Sequence, residues 1–293
     1  MAKYMTTKEA SGKWNISERR INVLCKEGRI PGAYKENNRW IIPWNAVKPA
    51  DKRLKAEVRI PYPLYKRVNT GGKKLPLPIG ISDYRKASSE YYYVDKTLLI
   101  RDFIDERPQV SLFTRPRRFG KTLNMDMLRV FFEKTEEDTS VFFKDKKIWA
   151  CGREYQEYQG KYPVIYVTFK DVKCEDWESA YDLIYKIIRN EIERHSELLT
   201  SDRISIYEKK YLTSMMDGTA NENDVAFAFL NLSRMLHAHY NVAPIIIIDE
   251  YDTPIQQGYM RGHYEKIIDF MRALFSGGLK DNPHLSYGFL TGI

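Results

Sequence analysis

Cysteine is scarce in this chain of 293 residues: Cys25, Cys151 and Cys174 are odd in number, far apart and form no C-x-x-C pair. That excludes a disulfide framework and fits a reducing compartment, so a cytoplasmic location is expected. Histidine is nearly as rare. His237 and His239 stand two apart, which on a helix places them on different faces and argues against a metal site. No apolar run approaches the roughly 18 residues that a membrane span needs. The opening MAKYMTTKEA lacks the apolar core of a secretory leader. Neither a membrane partner nor export is expected, and internal repeats are lacking too.

What the chain does have is apolar residues, 43% of the total, enough for one large domain or two ordinary ones. Its charge is unevenly placed. The first 75 residues hold 18 Lys+Arg against 6 Asp+Glu, whereas the rest hold 29 against 33. The net excess of +8 therefore resides in the first quarter, and a basic head on a mildly acidic body suits a polyanionic partner.

Within that head, residues 6–47 form a small pattern of their own. Thr6 or Thr7 can cap a helix over TKEASGKW, and Ser17 a second over SERRINVLCKEG, which Gly28 ends. Ile21, Leu24 and Cys25 recur at helical spacing as a core-facing stripe. AYKENNRWII reads as a hairpin with Glu36-Asn37-Asn38 at its tip. Helix, turn, helix and hairpin resemble the amino-terminal winged helix-turn-helix of the MerR and excisionase type over about 45 residues. In that arrangement the second helix enters the major groove. Ser17, Arg19, Arg20, Asn22 and Lys26 then become candidate DNA contacts, with Arg39 and Lys35 on the wing. Residues 1–48 are thus expected to bind DNA, and the Pro-, Gly- and Lys-rich stretch 49–76 to be a linker.

From residue 77 to 293 strands alternate with helices. The expected strands are 109–115, 162–169, 243–252 and LSYGFLTGI; DVAFAFLNLSRMLHAHY is expected as one continuous helix. This alternation argues for an α/β fold, a parallel sheet covered on both faces. TRPRRFGKTLNMDML (114–128) contains the second half of a phosphate-binding loop, Gly120-Lys121-Thr122, between a strand and a helix. The helix start offers free N–H groups to an anion. Lys121 suits the β- and γ-phosphates, Thr122 suits magnesium, and Arg117, Arg118 and Phe119 line the loop. Arg115, followed by proline, stands where the general motif has its first glycine, so the loop entry must differ. In IIIIDE, four isoleucines fit only a sheet interior and Asp249 emerges at the strand's carboxyl end, placed to support magnesium. Glu250 is suited to deprotonate water. Thr291, ending the last strand, is the candidate γ-phosphate sensor of a P-loop NTPase with an inserted strand.

LPIGISDYRK, YYYVDKTLLI, RPRRFGKTLNMDML, IIIIDEYDTPI and GFLTGI together resemble the bacterial AAA-ATPase-like family, relatives of archaeal and STAND-type ATPases. The resemblance covers residues 77–293, and the RPRRFGK[ST] loop is the family's usual form. It implies ATP as the nucleotide and a carboxyl-terminal extension, often nuclease-like. The chain stops after the sensor strand, so a fragment or shortened reading frame is expected.

Tyr91, Tyr92 and Tyr93 read as a buried strand or turn, with stacking on adenine the alternative and with Asp95 or Lys96 able to touch ribose or phosphate. Asp252 reads equally as a helix cap or a support for magnesium. IYEKK (206–210) reads as a charged helix. Arg129, Arg261 and Arg272 are open candidates for an arginine finger in a homo-oligomer. The overall expectation is an ATPase with a DNA-binding head. The alternative is a DNA-binding regulator that binds ATP without turnover.

Overall fold

The computed structural model describes residues 4–49, 75–116 and 119–292, in two compact units, one within residues 1–63 and one within 64–293. Most of the expected linker therefore lies outside the described residues.

The smaller unit runs β1 (Tyr4–Met5), α1 (Thr7–Trp14), α2 (Glu18–Lys26), β2 (Tyr34–Glu36) and β3 (Arg39–Pro43). Thr6 caps α1 in a reciprocal box with Glu9, and the Ser17 hydroxyl accepts from the Arg20 N–H to cap α2. Asn15, at φ 51°, turns the chain between the helices. The hairpin tip is Asn37-Asn38 alone, both at positive φ as a two-residue loop requires, while Glu36 pairs with Arg39. The order is β1-β3-β2, all antiparallel. β1, at two residues, is too short to show a period in sequence. Met5, Ala10, Trp14, Ile21, Leu24, Cys25, Ile30 and Ile42 close a core of their own.

The larger unit begins with α3 (Tyr84–Glu90), α4 (Leu98–Glu106), β4 (Val110–Thr114), α5 (Lys121–Phe132), α6 (Lys147–Ala150) and α7 (Arg153–Gln156). It continues with β5 (Val164–Thr168), α8 (Trp177–Arg194), α9 (Ile206–Asp217), α10 (Glu222–Ala226) and α11 (Ala228–Tyr240). It closes with β6 (Ile245–Asp249), α12 (Thr253–Arg261), α13 (Tyr264–Leu279) and β7 (Tyr287–Gly292). The four strands form one parallel sheet ordered β4-β7-β6-β5. The expected alternation is thus a four-stranded parallel sheet flanked by helices, and the strand inserted beside β4 is β7.

β6 shows why both faces are covered. Ile245 and Ile247 pack with Tyr84, Ile100, Phe103 and the buried face of α5, while Ile246 and Ile248 pack with α8, α11 and α13 on the other side. Fully burying one such side chain contributes about 1.5–3 kcal/mol. Two further sequence expectations are corrected. The helix expected as DVAFAFLNLSRMLHAHY breaks at Phe227 into α10 and α11. Residues 91–93 form no strand: Tyr92 is exposed, and Tyr93 packs edge-on against Tyr84.

Candidate functional site

The site lies at the carboxyl ends of the parallel strands. β4 ends at Thr114 and α5 starts at Lys121, so residues 115–120 turn from strand to helix. Gly120 makes the turn at φ 76°, ψ 25°, and as the N-cap of α5 it offers no side chain to the helix's first N–H groups. Arg115 takes no left-handed conformation. The glycine's freedom is needed at the end of the loop rather than at its start, which is why arginine is tolerated at 115. Lys121 is buried and its ammonium donates to the Arg115 carbonyl at 2.6 Å. Phe119 is exposed, while Arg117 and Arg118 lie outside the described residues.

β6 delivers Asp249, fully buried, beside this helix start. The Thr122 hydroxyl donates to its Oδ2 at 2.8 Å, Thr168 at the end of β5 approaches the same oxygen at 3.4 Å, and the Thr291 hydroxyl donates to Oδ1. Three strand ends and one helix start therefore converge on one carboxylate. A buried carboxylate is costly without partners. Among the described residues these are hydroxyls, and no ion pair links Asp249 to a lysine or arginine. A carboxylate and a hydroxyl beside a lysine form a donor set that fits a magnesium ion sharing its shell with phosphate and water.

Glu250 follows at φ 51°, an uncommon conformation for glutamate that costs on the order of 1–3 kcal/mol. It is held there from three sides. Its N–H donates to the Thr291 hydroxyl at 3.2 Å, the next N–H, of Tyr251, to the Thr291 carbonyl at 3.0 Å, and the Thr253 hydroxyl donates to its Oε2 at 3.3 Å. Thr291 thus has its hydroxyl proton on Asp249 and its lone pair on Glu250. Thr168 and Thr253 were not legible as site residues. Their only signal is a threonine ending a strand or opening a helix beside the acidic pair.

Other candidates fall elsewhere. The Asp95 carboxylate holds the Thr97 N–H and hydroxyl at 2.9 and 2.7 Å and the Lys147 N–H at 2.8 Å, a structural role. Asp252 precedes α12 but makes no side-chain cap, and accepts from Gln256 at 2.7 Å. Arg129 pairs with Asp126 and Glu133, Arg261 with Glu175 and Arg272 with Asp269. His237 meets His284 and His239 meets Ser201; no metal-binding cluster occurs among the described residues.

In the smaller unit α2 turns Ile21, Leu24 and Cys25 inward, leaving Arg19 and Lys26 exposed and Arg20 and Asn22 half-buried. The Asn22 amide donates to the Glu18 carbonyl of its own helix at 3.0 Å, so one of its base-reading donors is engaged. Lys35 and Arg39 are exposed on the hairpin.

With the geometry in hand, comparison with known proteins is informative. The family profile described as predicted AAA-ATPase matches residues 78–293. Among curated proteins the chain is similar to an uncharacterized protein in the vnfD 5′ region of Azotobacter chroococcum mcd 1, 29% identical over 220 residues. The match takes in 74% of this chain and 37% of that protein, so the chain spans little more than a third of the relative's length. No solved structure matches it. No helix among the described residues is long and apolar enough to cross a membrane.

Proposed function

The chain belongs to the predicted AAA-ATPase family, and on that premise we propose that residues 77–293 bind ATP with magnesium at the start of α5 and hydrolyse it. The observation that carries the reading is Asp249: a fully buried carboxylate, satisfied by the Thr122 and Thr291 hydroxyls, beside the glycine–lysine turn of a helix N-terminus. Gly120, the α5 N–H groups and Lys121 would take the phosphates, with Arg117, Arg118 and Phe119 on the loop. Thr122 and Asp249 would hold magnesium, which supplies charge neutralisation for the phosphate oxygens. Glu250 would take the proton from the attacking water. Thr291 would respond to the γ-phosphate through the two groups it touches, Asp249 and Glu250.

The smaller unit we read as a winged helix-turn-helix that meets DNA through Arg19, Arg20, Asn22 and Lys26, with Ser17 at the helix start and Arg39 on the wing. The exposed cations of α2 and the hairpin support this.

The test is turnover and ATP binding in wild type, Lys121→Ala and Glu250→Gln. A hydrolase loses binding in the first variant. In the second it keeps binding and loses turnover by about 10²-fold or more. Binding without turnover in wild type, unchanged by Glu250→Gln, would establish the regulator that binds without hydrolysing. Undiminished binding in Lys121→Ala would overturn both.

A further inference from the structure

We propose that Lys96 is a second phosphate-binding cation of the nucleotide site, delivered from the segment before α4 and not from the loop itself. The inference rests on the ATP reading above and deepens it.

The Lys96 ammonium stands 3.6 Å from the point that a Cβ on Gly120 would occupy. Gly120 is the residue at which the loop turns into α5, so two ammonium groups flank it in sequence-distant fashion: Lys121 from the helix and Lys96 from outside. The placement is built. Asp95 holds the Thr97 N–H and hydroxyl, and its other oxygen takes the Lys147 N–H at the start of α6. The Thr97 hydroxyl in turn accepts from the Ile148 N–H at 3.1 Å, and Thr97 is fully buried. Both neighbours of Lys96 are thereby fixed to α6, while its own side chain is exposed and has no ion-pair partner among the described residues.

The electrostatics ask for an anion. Residues 115–122 carry three arginines and Lys121 and no acidic residue. Adding an ammonium beside the positive end of a helix is unfavourable unless an anion joins the group, and the one carboxylate placed at this helix start, Asp249, is already engaged by the Thr122 and Thr291 hydroxyls. A nucleoside polyphosphate supplies that charge, and a compact ammonium serves as a point contact to phosphate oxygen.

The experiment is calorimetric titration of the full chain with ATP, ADP and adenosine in magnesium buffer, for wild type, Lys96→Ala, Lys96→Arg and Lys121→Ala, with a thermal melt of each protein. The expected result is an ATP affinity at least about tenfold weaker in Lys96→Ala, as for a lost charged hydrogen bond. Recovery of most of the loss in Lys96→Arg, little change for adenosine and an unaltered melt complete that expectation. ATP binding lost in Lys121→Ala but unchanged in Lys96→Ala would overturn the inference and leave the nucleotide site standing. A wild-type chain that binds no ATP would overturn both. A loss in Lys96→Ala that extends equally to adenosine, or that accompanies a lowered melt, would make the lysine structural and overturn the assignment.

Discussion

At the scale of single residues the site depends on one hydroxyl. Thr291 donates to Asp249 and accepts from the Glu250 N–H, so it fixes the carboxylate and the turn that aims the glutamate. Thr291→Val keeps the shape and removes both bonds, leaving a buried carboxylate short of a donor and an N–H without an acceptor. We expect destabilisation by about 2–3 kcal/mol in urea unfolding, with turnover falling further than ATP affinity. Unchanged stability would mean that the hydroxyl bridge is dispensable. Gly120, Lys121, Thr122, Asp249 and Glu250 were legible because a helix start and a strand end each impose a fixed residue type at a fixed place. Thr168 and Thr253 were not, because threonine at a strand end or a helix start has many ordinary uses. Only the register that sets Thr168 opposite Asp249 gives it meaning.

At the scale of elements, a partly buried charge network ties α5 to α8. Arg129 of α5 pairs with Glu133 just past the helix end, and Glu133 in turn pairs with Arg194 of α8, which also holds Glu191 and the Val164 carbonyl of β5. His195 sits among them with one ring nitrogen 3.3 Å from Glu197 and the other 3.5 Å from Glu191. Burial alone would pull its pKa down, as Arg194 does. The hydrogen bonds and charges of Glu191 and Glu197 outweigh them, and the folded-state value lies above the ordinary 6.5. Burial likewise opposes the charge of Glu191 and of Glu197, but Arg194 and His195 hold the first below 4.5 and His195 the second. The raised histidine stabilises fully below about pH 6.5 and loses its contribution as pH rises through its folded value; the lowered glutamates stabilise above about pH 4.5 and lose theirs on acidification. The urea midpoint should therefore be highest between those limits and fall above them. The alkaline fall should flatten in His195→Gln, and a profile identical in both proteins would remove the histidine from the account. The strands of this sheet were legible, since a continuous isoleucine run admits no solvated face. The break at Phe227 was not, because apolar spacing persists across it. Nor was the irregular path of Tyr91–Tyr93, where aromatic residues mimic a strand but only one ring is packed on Tyr84.

At the scale of the whole molecule, the sequence divides a basic head from a mildly acidic body, and the described residues fall into two compact units. If the head meets DNA, titration of duplex at several salt concentrations should give a log–log slope of about −0.9 for each phosphate contacted. Deleting residues 1–48 should abolish the binding, and a flat salt response would remove DNA as the partner. Order along the chain has a further effect, on biosynthesis. β4, which leads into the proposed phosphate loop, finds its sheet neighbour among the described residues in β7, and the hydroxyl that donates to Asp249 arrives in that same strand. Roughly 170 residues separate the two strands. At ribosomal rates of about 5–20 residues per second, β4 waits about 10–35 s for its partner. During that interval the nascent chain presents an unpaired strand, and no ligand can template the candidate site before the strand that completes it has been made.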